Sequence, residues 1–333
     1  MGHRLHFEDG KASMMYVGQE PWHGLGTKLE KPATAAEAMR AANLDWTVKK
    51  VPVCAWGEGI VYPIDDTFTV VPEHLWGKEK CPTWGMVKRD YTPLQNREAF
   101  SFFDDIVGKG AAIYHTAGAL DDGRRVWILA KLPDDIVVAG KDITNKFLLL
   151  SNSHDGSGSV QIKFSPIRVV CHNTLTQALN EGEASIRVPH TRDIDERLTS
   201  ARKSLQLIKV TYERIEKDFV GLATVQMTDT TLTAYLKLVF PDPSNAKDLR
   251  AVERVERNRP TARRLFTKGK GNDAPGVTGT LWAAYNGIVE MVDLGRNRRT
   301  LDQHLEHIWF GGGYTLKVRA FEMAKKHMEV LPH

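Results

Sequence analysis

Residues 147–181, FLLLSNSHDGSGSVQIKFSPIRVVCHNTLTQALNE, restrict the fold more than any other stretch of the chain. They read as a strand, a tight turn, a long strand and a helix. Two glycines in Asp155-Gly156-Ser157-Gly158-Ser159 permit the positive φ that a sharp reversal needs. Val160, Ile162 and Phe164 then alternate with Gln161, Lys163 and Ser165, the period of a half-buried strand. After Pro166 the apolar set shifts to Ile167, Val169 and Cys171. One inserted residue at Ser165-Pro166, a β-bulge, would restore the face, and proline suits such a break because it has no N–H. That bulge would place Arg168 on the same face as Lys163. Asn173 or Thr174 would cap a helix through Leu175, Ala178 and Leu179. Upstream, Val126, Ile128, Ala130 and Leu132 alternate with Arg125, Trp127, Leu129 and Lys131. The expected class is therefore α+β, with a β-β-β-α core and basic residues on the polar face of its sheet.

The flanking segments add strands before this core and helices after it. Thr34 and Glu37 form a capping box for a short helix. Pro52, Pro63 and Pro72 break residues 46–72 into short strands and turns, and residues 93–107 read as a helix. From Asp193 onward, Ile194, Leu198, Ala201, Leu205, Ile208, Tyr212, Ile215, Phe219 and Leu222 keep a 4-3-4-3 spacing. That is a heptad seam, suited to packing on the core or on another subunit. A charged helix follows to about Asn258, and Pro260 opens another that Gly269 closes. The chain divides into a β-rich part over 1–192 and a helical part over 193–333, sharing one core.

Charge narrows the choice of partner. The net charge is only +4, yet residues 250–270 hold eight basic side chains against two acidic ones. That segment carries +6 and leaves −2 for the rest of the chain. So local an excess fits an anionic partner. Arg263, Arg264, Lys268 and Lys270 lie in a glycine-rich, flexible tail of this run and are candidate phosphate contacts, joined by Lys163 and Arg168 on the sheet. Trp282 and Tyr285 have the helical spacing of core residues rather than base-stacking ones.

Catalytic patterns are sparse. His154, Asp155 and His172 flank the two ends of the long strand and could ligate a metal that activates water. Turn and cap chemistry account for the same residues without one. No phosphate-binding loop of the G-x-x-x-x-G-K-[ST] form and no G-x-S-x-G elbow occurs. The three cysteines are far apart, which fits a reducing compartment. No apolar run reaches the ~20 residues of a membrane span. No catalytic residue, metal or cofactor is expected.

YVGQEPWHGLGT, TAGALDDGRRVWILAKL, LLLSNSHDGSGS, IRVVCHNTL and GTLWAAYNGIVEMVD, in this order, resemble the phage and plasmid proteins grouped as domain of unknown function 932. That resemblance implies a mobile-element origin and the cytoplasm of a bacterial host, and it supplies no activity. In fold alone, a β-β-β-α core followed by a long helix is similar to Rad52-like single-strand annealing proteins. That second likeness implies a non-catalytic homo-oligomer, ring or filament, which binds single-stranded DNA in recombination. A phage exonuclease or single-strand binding protein would be its companion. The alternatives are a metal-dependent nucleic-acid enzyme and a host-takeover protein that binds a bacterial protein.

Overall fold

The computed structural model describes residues 6–330 except 9, 19–24, 32, 108–112, 169–172, 175–184, 205–206, 246, 295–303 and 305–306. The chain runs β1 (Phe7–Glu8), β2 (Lys11–Ala12), β3 (Met14–Val17), β4 (Thr27–Leu29), α1 (Ala35–Ala41), β5 (Val48–Gly57), β6 (Ile60–Pro72), β7 (Trp84–Val87) and α2 (Asn96–Val107). Then come β8 (Ile113–Leu120), β9 (Arg125–Val138), β10 (Asp142–Ser153), β11 (Val160–Phe164), β12 (Ile167–Arg168), β13 (Asn173–Thr174) and β14 (Ser185–Val188). The helical part holds α3 (Ile194–Ser204), α4 (Leu207–Thr224), α5 (Asp229–Val239), α6 (Leu249–Lys268), α7 (Leu281–Asp293) and α8 (Gly312–Val330). This is the expected α+β class.

Nine described strands make one mixed sheet in the order β13-β12-β10-β9-β8-β3-β4, with β11 also beside β10 and β14 outside β11. The antiparallel trio β9, β10 and β11 is the predicted three-strand core. Its reversals fall where the sequence asks for positive φ: Asp121, Asp122 and Gly123 before β9, and Gly156 before β11.

The expected bulge at Pro166 is absent. Leu148 pairs Phe164 and Asn145 pairs Ile167, one uninterrupted register on both sides of the proline. The irregularity sits instead between β9 and β10, where residues 132–134 of β9 face Lys146 alone. With nothing inserted, Lys163 and Arg168 keep opposite parity and point to opposite faces. Asn173 and Thr174 extend the sheet edge by pairing Arg168 and Ile167, rather than capping a helix. The helix expected through Leu175, Ala178 and Leu179 lies outside the described residues.

Both faces of the sheet are covered. Val126, Ile128, Ala130, Leu148, Leu150 and Ile162 join a core with Phe219 and Trp282 of the helical part. On the other face Trp127, Leu129, Phe147 and Leu149 pack with Ile308 and Trp309. The supposed polar face of β9 is thus the floor of a second apolar cluster, because the segment before α8 lies on it. The seam residues Ile194, Leu198, Tyr212, Ile215, Phe219 and Leu222 are all buried in the first core. The described seam residues therefore pack within the chain; the side chains of Ala201 and Ile208 lie outside the description. Leu205 lies outside the described residues.

The prolines behave otherwise than expected in two places. Residues 48–72 form one long hairpin, not short pieces, with a bulge between Pro52 and Cys54 and a turn at Glu58-Gly59, both at positive φ. Trp56, Ile60, Val61 and Tyr62 at its tip are exposed. Pro260 does not start a helix; it lies inside α6. An interior proline costs about 3 kcal/mol in an isolated helix. Close packing on α7 offsets that cost: a Cβ at Gly287 would sit 3.0 Å from the backbone at Leu265 and Phe266.

Candidate nucleic-acid interface

The continuity of α6 organises its charges. Arg254, Arg257, Thr261, Arg264 and Lys268 recur at 3-4-3-4 spacing, a single stripe over ~21 Å of helix. These five residues line a groove of about 730 Å³. Its opposite wall is largely apolar, from Met291, Val292 and Leu294 at the end of α7 and Leu316 of α8, with His307 beside them. Glu290 is the one carboxylate among the described lining residues, and it accepts a hydrogen bond from Lys270 N at 2.9 Å. Among the described residues no ion pair reaches Arg254, Arg257, Arg264 or Lys268, and Glu253 and Glu256 form none.

The other basic residues of the run are committed elsewhere. Arg263 is ion-paired to Asp229 and donates to Thr233. Arg259 donates to Asp242 at 2.7 Å and to the Phe240 carbonyl at 2.9 Å. Lys270 is exposed but does not line the groove. Of the four residues expected here, Arg264 and Lys268 fall in the groove, and Arg263 and Lys270 do not. Arg254 and Arg257 join the stripe unexpectedly. Their spacing is readable in the sequence, but Pro260 makes the helix look divided between them and Arg264.

Arg168 is not a surface contact at all. Its guanidinium is fully buried and grips Asp142 with Nε at 2.7 and 2.9 Å from the two carboxylate oxygens. The remaining donors reach the carbonyls of Lys270 and Gly271 and the Asn272 side chain, at 2.9–3.1 Å. Trp282 Nε1 donates to the same Asp142 at 2.7 Å. Asn272 in turn donates to the Leu265 and Ala283 carbonyls. The segment after α6 is therefore fastened from below, not the flexible tail that its glycines suggest. Gly269 is there for space: a Cβ would lie 2.5 Å from the Leu265 carbonyl oxygen.

Lys163 is also buried, on the other side of the sheet, where Nζ donates to the Trp309 carbonyl at 3.2 Å. It cannot share a surface with Arg168 or with the α6 groove.

The alternative metal set does not assemble. The His154 ring is enclosed by Trp46 and Trp84, with centroids 5.4 and 6.0 Å away. Its Nε2 lies 2.9 Å from Asn96 Oδ1. Asn96 donates its amide N–H groups to the carbonyls of Leu44 and Trp46, so Oδ1 must accept and His154 Nε2 carries the proton. Nδ1 is then bare, buried and without a partner. Burial, with a smaller push from His190, drives its pKa down to about 3. Asp155 spends its carboxylate on Ser153 Oγ and Ser157 N, within the turn. His172 lies outside the described residues, among which no three His, Cys, Asp or Glu side chains cluster as metal ligands.

A family model described as Domain of unknown function (DUF932) matches residues 83–309, more than half of the chain. The chain belongs to the DUF932 family. No curated protein and no solved structure matches it. Nothing among these comparisons supports the likeness to Rad52-like annealing proteins. The DUF932 region holds the three-strand core, the 153–159 turn and helices α3–α7, so the basic stripe lies wholly inside it. No helix among the described residues is long and apolar enough to cross a membrane.

Proposed function

We propose that the protein binds single-stranded nucleic acid along the α6 groove, without catalysis, and that strand annealing in recombination is the role this binding serves. The observation that carries the reading is one basic stripe facing an apolar wall. Arginine and lysine neutralise backbone phosphates independently of sequence. The apolar wall suits the faces of unstacked bases, which a duplex keeps hidden. The annealing role rests on the likeness drawn from the sequence, and single-stranded DNA is the ligand that likeness implies.

The test is a salt titration of oligonucleotide binding by fluorescence anisotropy. Each phosphate neutralised on a single strand contributes ~0.7 to the slope of log affinity against log salt. Replacing Arg254, Arg257, Arg264 and Lys268 together by Ala is expected to lower that slope by up to about 3. The same change at Arg263 and Lys270 is expected to lower it by less than ~1. Thermal unfolding should hardly move in the fourfold variant, since exposed charges contribute only ~0–1 kcal/mol each. An unchanged slope and affinity would mean that the stripe is a solvated helix face.

A further inference from the structure

Along the α6 groove, one lining side chain has the wrong charge for a phosphate. Glu290 follows Gly287 by three residues, so it shares the face of α7 that meets α6. It lines the groove beside Met291 and Leu294, yet is only 8% exposed. Its Oε2 accepts from Lys270 N at 2.9 Å. That N–H is held from behind, because the buried Arg168 guanidinium grips the carbonyls of Lys270 and Gly271. Gly269 keeps the approach open: a Cβ there would lie 2.9 Å from Glu290 Oε2. The carboxylate is thus fixed by backbone and not by a cation.

The second oxygen is left over. Among the described residues Glu290 Oε1 makes no hydrogen bond and no ion pair, and it is not sealed from solvent. Glu290 shares the groove with Arg254, Arg257, Arg264 and Lys268 and pairs with none of them. A nearly buried carboxylate oxygen gains most from a donor that reaches it where water is scarce. On a strand whose phosphates follow the stripe, that donor is not a phosphate, because like charges repel. The donors of a single strand lie on its base edges. The exocyclic amines of cytosine and adenine donate directly. Thymine and uracil flank their one ring N–H with carbonyl oxygens, which a carboxylate repels.

We propose that Glu290 reads base edges in the α6 groove and favours amino-bearing bases over thymine and uracil. This discrimination rests on the α6 reading. It adds a base contact to an arginine stripe that is by itself blind to sequence. It also orients the strand, with phosphates toward α6 and base edges toward the end of α7.

Fluorescence anisotropy on the full chain tests it, with oligodeoxycytidylate, oligothymidylate and oligodeoxyuridylate of equal length at slightly alkaline pH, where cytosine is unprotonated. All three are pyrimidine strands, and the uridylate removes the thymine methyl as a cause. The cytidylate is expected to bind about tenfold more tightly than either keto strand, the equivalent of one charge-assisted hydrogen bond. Glu290→Gln still offers an acceptor to Lys270 N but turns an uncharged amide to the groove. It is expected to abolish the preference and to strengthen thymidylate binding, since the repelling charge is gone. A merely structural carboxylate would change all three affinities in the same proportion. The comparison of strands on the parent decides the matter even where the variant does not fold. Equal affinities on the parent, tighter binding of a keto strand, or a preference that survives Glu290→Gln would overturn the role of Glu290 and leave the groove itself standing. No binding of any strand, or binding that the fourfold α6 variant does not weaken, would overturn both.

Discussion

Replacing Asp142 by Ala is expected to lower the free energy of unfolding by about 3–5 kcal/mol, the typical result of stranding one member of a buried ion pair. Arg168 would keep its charge inside the core with no anion to meet it, and Trp282 Nε1 would lose its acceptor. The damage should spread to residues 270–272, whose carbonyls and side chain are held by the same guanidinium. Urea denaturation of the parent, Asp142→Ala, Arg168→Met and the double variant would measure it. The double variant should recover part of the loss, because no charge is then left unpaired. A loss below ~1 kcal/mol in Asp142→Ala, the range of an exposed pair, would show that the pair is solvated after all.

Mild acid should destabilise the protein, with His154 a main cause. Its pKa is driven down to about 3 in the folded chain, below the 6.5 of an unperturbed imidazole. The unfolded state therefore binds the additional proton between those values. The contribution is fully present above pH ~6.5 and is lost as pH falls toward the folded value, at up to ~1.4 kcal/mol per pH unit. By pH 5 that amounts to about 2 kcal/mol from this residue alone. His190, His6 and His327, also lowered by burial, act in the same direction. His154→Gln should flatten the pH 7 to 5 dependence of urea stability, whatever it costs at pH 7. An equally steep dependence in that variant would place the titration elsewhere.

Strand alternation, turn glycines and helical periods are enough to read the α+β class, the three-strand core, the reversals at 121–123 and 155–159, and the α2 helix. These are local properties. Side-chain period is a property of the backbone, and positive φ is tolerated best by glycine and next by Asn and Asp. The heptad seam of α3 and α4 is legible for the same reason, but not what it packs against. A seam requires an apolar partner and is indifferent to whether that partner is this chain's own sheet or a second copy.

Sites that depend on partners distant along the chain are not legible in this way. Arg168 and Arg264 are equally basic in the sequence. One is sealed against Asp142 and Trp282, and the other lies exposed along a groove. Lys163 and Arg168 lie on opposite faces, although the shift in hydrophobic phase between them has the pattern of a bulge. Burial of both sheet faces makes apolar residues welcome at either parity, so phase no longer reports face there. Pro260 has the local meaning of a helix start, yet packing of α6 on α7 outweighs the one hydrogen bond it removes. The sequence by itself determined which segments could be strands, turns and helices, since each obeys rules spanning a few residues. Which cations are buried, which line a surface and which converge on one cavity was decided only by the tertiary structure, because electrostatic solvation depends on everything within a few ångströms in space, and most of that is contributed by remote parts of the chain.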